Sequence, residues 1–322
     1  MSGQSSFLDA LLPPGFGRNE RLEAIDRLID WSRLEALVTG IRSGEMGRPP
    51  YAPLSMLKAL LLQQWYGLSD PGLEEALLDR VSFRRFCGFA LDASTPDETT
   101  LCRFRNALKG AELGEALFME IGRQLETGGF IVKAGTLIDA TLIRSAAKTP
   151  TVDKTSGASG QSEVDPDANW TRSGGSRKSF FGYKLHIGVD LGSGLVRTRC
   201  LTPAKVYESE VADDLIVGDE RAVYADKAYE KAERRTALKA KNIKDRILHR
   251  RHKHIKELPP WQAKRNKLVA KIRANVERTF ACFKGVTYRL TRFRYRGLKA
   301  NAFHIDLVMI AFNLRRAAKL AA

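Results

Sequence analysis

At 322 residues the chain is long enough for about two domains, each with its own core. It carries 53 Lys/Arg against 37 Asp/Glu, a formal +16, but residues 227–299 alone hold 24 of the basic and 5 of the acidic side chains, a net +19 that leaves the rest at −3. A basic excess confined to one region points to a polyanion such as nucleic acid and argues against a membrane, since no apolar run nears the roughly eighteen residues of a spanning helix.

The start, MSGQSSFLDALLPPGFG, has neither the basic opening nor the small-residue cleavage site of a signal peptide. The first third then reads as helices. Leu22, Ile25, Leu28, Ile29, Leu34 and Leu37 recur at helical spacing, and the turn formers of Gly44 to Pro50 close that unit. Ala52 to Tyr66 is a second apolar helix stopped by Gly67. Ser69-Asp70-Pro71 supplies a cap and a first-turn proline for a third, reaching Val81. So short a glycine-containing turn fits a helix-turn-helix, as any compact helical bundle also would. Thr95-Pro96-Asp97-Glu98 reads as a capping box. The helix it opens carries Arg103 and Arg105, which lie either on DNA or in intramolecular pairs. A further helix, Leu113 to Leu125, ends at Gly128-Gly129.

There the period changes. KAGTLIDATLI (Lys133 to Ile143) is a short apolar run rich in Thr and Ile, the pattern of a buried strand, with Asp139 at its centre. A lone carboxylate in such a strand costs several kcal/mol to bury without a partner or metal. A Ser/Gly/Thr/Lys-rich stretch at about 145 to 181 reads as a long mobile loop. FFGYKLHIGVD (Phe180 to Asp190) and Leu195 to Leu201 form a hairpin around LGSG. Ser209 to Val217 is helical, Arg221 to Ala225 a strand ending at Asp226, Lys227 to Lys241 a basic helix and Lys244 to Leu248 a short strand. The apolar helix Ala302 to Leu320 is expected to pack on the sheet. This gives an N-terminal helical domain over residues 1–129, for DNA binding or dimerisation, and an α/β domain over 130–322. The order from Gly135, with a mixed sheet, is that of the ribonuclease H-like fold.

Between the last strand and the closing helix, Trp261 to Phe283 is expected to form one helix. At about 100° per residue, Arg273, Glu277 and Lys284 fall within roughly 40° of one another, beside an apolar stripe of Val269, Ile272, Val276, Phe280 and Phe283. An Arg273–Glu277 pair on a solvated surface is the ordinary reading of such a spacing. The alternative joins Glu277 to Asp139 and Asp226 as three acids on two strands and a helix. Phosphodiester cleavage by two divalent ions about 3.5 to 4 Å apart needs such hard oxygen ligands. On this reading Asp139 bridges two Mg²⁺ ions, for which Mn²⁺ can substitute, Asp226 holds one and Glu277 the other. Without metal, the gathered acids would be partly protonated or disordered. Competing acids have simpler roles: Asp190 forms a turn, Asp213, Asp214 and Asp219 are solvated, and Asp165 and Asp167 lie in the mobile loop. The scattered Cys87, Cys102, Cys200 and Cys282 read as reduced, buried thiols, and HRRHKH at 249–254 as part of the cationic surface.

Arg273, three residues, Glu277, six residues and Lys284 resemble the signature of DDE transposases from bacterial insertion sequences. With LIDAT, VYADKAYE, GYKLHIGVD and PDETTLCRFRN, the chain from about Pro49 to Leu314 is similar to the insertion-sequence-5 family, kin of the insertion-sequence-4 family. The resemblance implies Asp139, Asp226 and Glu277 as catalytic and Arg273 and Lys284 as DNA-phosphate contacts. It implies Mg²⁺-dependent cleavage of transposon ends and strand transfer into target DNA, of the cut-and-paste type. Its partners are double-stranded DNA, as terminal inverted repeats and target, and a second copy of the chain for synapsis, in a cytoplasmic, nucleoid-associated setting. The fuller signature has tyrosine where this chain has Ala270, which puts a hairpin intermediate in doubt. On the same reading residues 227–299 form the DNA track, beginning at Lys227. Tyr183, Lys184 and His186 lie near the active site, where Lys184 and His186 touch the DNA end. Trp170 either stacks on a base or, as is commoner, packs against the protein. The alternative function is a transposase-derived DNA-binding protein without chemistry.

Overall fold

A computed structural model describes residues 13, 15–41, 51–150, 162–172, 179–251 and 257–322. The turn expected at Gly44 to Pro50 and the second half of the HRRHKH tract lie outside these residues. The chain's internal contacts divide it into two units, Met1–Gly128 with Phe303–Ala322, and Gly129–Ala302.

The first unit is helical: α1 (Glu20–Leu28), α2 (Trp31–Val38), α3 (Pro53–Tyr66), α4 (Asp70–Asp79), α5 (Val81–Cys87), α6 (Glu98–Gly110) and α7 (Leu113–Thr127). Helix α3 stops at Gly67, whose φ of 63° is the left-handed conformation glycine adopts without strain. Two residues later the Ser69 side chain accepts from Gly72 N and opens α4, with Pro71 in its first turn. Helix α6 begins later than the sequence suggests: Asp97, not Thr95, is the cap, accepting from Thr100 N at 2.6 Å. A carboxylate that takes up an orphan amide outcompetes a hydroxyl lying ahead of the proline. The closing helix, which the sequence assigned to the sheet, joins this unit from Phe303 onward. Its Ala311 carbonyl accepts from Trp65 Nε1 of α3 at 2.8 Å, both residues being buried.

The second unit is a mixed six-stranded sheet flanked by helices, the ribonuclease H-like arrangement. Its strands are β1 (Thr136–Arg144), β2 (Asn169–Arg172), β3 (Ser179–Asp190), β4 (Val196–Pro203), β5 (Ala222–Ala225) and β6 (Lys244–Ile247). The path runs β2-β3-β1-β5-β6, with β4 also on β3. β3 is antiparallel to β1, β2 and β4, whereas β5 is parallel to both β1 and β6. Between β4 and β5 come a single-turn helix α8 (Glu208–Val211) and the 3-10 turn Ala212–Leu215. The expected basic helix after β5 is a 3-10 turn, Lys227–Tyr229, followed by α9 (Ala232–Ala240). After β6 come α10 (Pro260–Arg273), α11 (Asn275–Lys284) and α12 (Leu298–Ala321). One apolar cluster joins Ile138, Leu215, Val223, Tyr229, Leu238 and Ile247, so β1, β5, β6 and α9 share a core.

Part of the stretch read as a mobile loop is built into the sheet. Strand β2 pairs with β3 from Asn169↔Gly182 to Arg172↔Ser179, and the Trp170 ring lies 5.4 Å from Phe181, the packing role. Fully buried Asp165 accepts from Tyr183 Oη at 2.5 Å, from Gly297 N at 2.9 Å and from Ser145 Oγ. Asp167 accepts from Leu298 N at 2.7 Å and caps the start of α12. At Gly182, φ is 155° and an added Cβ would overlap the Ile143 carbonyl oxygen, so only glycine lets β3 run this close to β1. Asp190 is the turn former expected, accepting from Val132, Lys133, Gly192 and Ser193 amides.

Candidate active site

Asp139 is the fourth residue of β1. Parallel pairing sets Thr136 against Val223 and Leu137 against Tyr224, so the same offset carried two residues further brings Asp139 level with Asp226, just past the end of β5. Two strands that belong together for reasons of core packing thus deliver two carboxylates to one level. Burial pushes the Asp139 carboxyl above the usual range, Arg273 pulls it back, and Asp226 adds a smaller push in the same sense as burial.

The third signature position behaves differently. The stretch expected as one helix is two, and at the break the Asn275 side-chain amide donates at 3.0 Å to the Ile272 carbonyl, the acceptor that continued helix would offer to Val276 N–H. Arg273 therefore ends α10 while Glu277 stands in the first turn of α11. Arg273 does not pair with Glu277; its Nη1 donates to Asp139 Oδ2 at 2.7 Å, with the two side chains about one-fifth exposed. The guanidinium offsets only part of the burial, so the Asp139 carboxyl stays above its usual range, the direction of the partial protonation expected without metal. Helix α11 buries Val276, Thr279, Phe280 and Phe283 and packs on β1, leaving Glu277 and Lys284 exposed on the flank of that face. Among the described residues no three His, Cys, Asp or Glu side chains stand close enough together to hold a metal ion. The structure brings Asp139 and Asp226 together and leaves Glu277 apart.

The donor set is nonetheless one a hard divalent cation accepts: two level carboxylates, one of them already matched by a positive side chain. Asp226 and Lys227 open onto a cleft of about 1370 Å³, whose walls also carry Arg172, Lys184, Lys205, Arg250 and Arg251. The cleft is strongly basic, and Trp170 and Tyr207 add aromatic surface.

Two basic side chains expected to touch DNA are committed elsewhere. His186 is fully buried, with Nε2 3.0 Å from Thr202 Oγ1, and burial holds its pKa down to about 4, so it is neither charged nor on the surface. Arg105 is buried in the first unit, where it grips Asp70 with both ends of its fork, one bond being 2.7 Å, and reaches Gln63. Of the two roles left open for Arg105, the intramolecular pair is the one found. Arg103 and Lys227 are exposed. Lys184 is almost buried yet reaches the cleft, donating to Glu208 at 2.9 Å and to the Val206 carbonyl at 2.8 Å. Asp213 and Asp219 are exposed, as expected, and also pair with Arg234 and with Lys133 and Arg197 respectively. His249 packs edge-on against Trp261, and burial lowers its pKa. None of the four cysteines is in a disulfide; of the buried thiols expected only Cys87 is buried, Cys102 and Cys200 are partly exposed, and Cys282 is exposed.

Sequence reasoning missed Glu208 and Tyr229. Tyr229 is buried, its hydroxyl has no hydrogen-bond partner among the described residues, and its pKa is raised well above normal by burial and then by Asp139 and Glu208. It lies within VYADKAYE, where its place three residues after Asp226 was a usable signal. Glu208 sits in an acid-rich segment with no periodic pattern, so nothing local distinguished it.

Two family models match the chain. One, described as a transposase domain (DUF772), covers residues 10–107, and the other, described as a transposase DDE domain, covers residues 132–314, more than half of the chain. No solved structure matches.

Proposed function

Since the chain belongs to the family of transposases built on a DDE domain, we propose that it cuts DNA at the ends of a mobile element and joins those ends to a target. Asp139, Asp226 and Glu277 would hold two Mg²⁺ ions, or Mn²⁺ in their place. The observation that carries this reading is the level placement of Asp139 and Asp226 on neighbouring parallel strands, with a guanidinium on the first. Divalent ions bound there supply the charge that makes a hydroxyl or water nucleophilic and steadies the leaving oxygen. With that charge in place Arg273 would no longer be needed by Asp139 and could take a DNA phosphate. Glu277, exposed one turn into α11, closes on the pair as DNA is bound. Lys227 and Arg250 line the route of the backbone through the cleft and Lys284 extends it, so binding falls steeply with salt.

The motifs favour the insertion-sequence-5 family, action on terminal inverted repeats in the bacterial cytoplasm, and a cut-and-paste course. Bringing two ends together requires at least a dimer on DNA. Asp139→Asn should abolish cleavage and joining of end-bearing DNA while leaving binding intact, and retained cleavage would reject the assignment. A second reading, a transposase-derived DNA-binding protein without chemistry, is favoured by the lack of three gathered ligands among the described residues. Divalent-dependent nicking of linear ends separates the two.

A further inference from the structure

Glu208 is the first residue of α8, and α8 packs against the 3-10 turn Lys227–Tyr229 that immediately follows Asp226. Glu208 and Asp226 line the same cleft. The Glu208 carboxylate is about 30% exposed and held by Lys184 at 2.9 Å. Lys184 has a second acceptor, the Val206 carbonyl at 2.8 Å, so its ammonium keeps a hydrogen-bond partner, though not a counter-charge, when Glu208 leaves. A separate observation lies beside these acids: Tyr229 closes the turn that follows Asp226 and against which α8 packs, and its hydroxyl is buried with no partner among the described residues, where a buried hydroxyl is ordinarily satisfied. The negative charges of Asp139, Glu208 and Asp226 all act on it.

We propose that Glu208 is a carboxylate ligand of the divalent cation held by Asp139 and Asp226, exchanging Lys184 for the cation when the site is loaded. As they stand the three acids are not gathered among the described residues, so Glu208 must leave Lys184 and turn toward Asp226 for the cation to be held. In the exchange Lys184 keeps the Val206 carbonyl and gains cleft water as Glu208 takes up the cation. The Tyr229 hydroxyl gains an acceptor in the incoming carboxylate. This inference rests on the cation site of the proposed function, and its test separates the two.

Mn²⁺ binding to the full chain, followed by electron paramagnetic resonance, reads the site directly. Wild type is expected to bind saturably, and Glu208→Gln and Asp139→Asn each to weaken binding by at least about tenfold, the loss typical even of groups that only support a metal ligand. Unchanged binding in Glu208→Gln, with binding lost in Asp139→Asn, overturns the role of Glu208 and leaves the proposed function standing. No saturable binding by wild type, or none lost in Asp139→Asn, overturns both. Should Glu208→Gln also lower the melting temperature, Glu208→Asp decides: regained binding supports a carboxylate ligand, and its continued loss overturns it.

Discussion

The Arg273 guanidinium meets the Asp139 carboxylate at 2.7 Å, joining the end of α10 to the middle of β1 across 134 residues of sequence. Removing it leaves a largely buried carboxylate with the push of Asp226 and no counter-charge. Arg273→Gln should therefore lower stability in EDTA by roughly 2 to 3 kcal/mol, less than a fully buried pair would lose because one-fifth of each side chain is exposed. Millimolar Mg²⁺ should restore part of the melting temperature in the variant more than in wild type. Equal Mg²⁺ shifts in the two proteins would contradict the substitution of one cation for another.

Arg103 and Arg105 lie two residues apart on α6 but face opposite fates. Arg105→Ala removes the grip on Asp70 and should cost about 3 kcal/mol in urea denaturation. Arg103→Ala should leave stability within about 0.5 kcal/mol and weaken DNA binding, measured by fluorescence anisotropy.

Asp165 serves Tyr183, Ser145 and the Gly297 amide from a fully buried position. Asp165→Ala strands those donors and should cost about 3 kcal/mol or more. Calorimetry would read this as a melting point lowered by several degrees.

His186 has a folded pKa of about 4, below the roughly 6.5 of an unfolded chain. The unfolded chain takes up the proton first as pH falls, so the contribution is intact above about 6.5 and lost progressively toward 4, a total of roughly 3 kcal/mol. His186→Gln should flatten that part of the stability profile, which urea midpoints across pH 4 to 7.5 would reveal.

The strands were readable because their cues are local. KAGTLIDATLI and FFGYKLHIGVD carry the buried pattern, LGSG the turn, and the register of β1 and β5 follows once both are placed. The pairing of Asp139 with Asp226 was legible for the same reason. What escaped was long-range competition. Nothing near Arg273 says that its partner is a strand carboxylate rather than Glu277, and no proline or glycine marks the break between Arg273 and Asn275. The acids of residues 162–172 looked like loop material because Tyr183, Gly297 and Leu298, which they serve, lie elsewhere in the chain. Composition reported charge but not burial, so His186 and Arg105 looked like surface groups.

The hydrogen bond from Trp65 to Ala311 spans 246 positions. Because the chain from Phe303 onward completes the first unit, the sheet-bearing segment is in topological terms an insert. During synthesis the helices nearest the amino terminus must wait for nearly the whole polypeptide to emerge before their core can close, while the insert is already able to fold. Loop closure over such a distance is slow, and a chain interrupted before Phe303 would present an unfilled apolar groove beside Trp65 to chaperones and proteases.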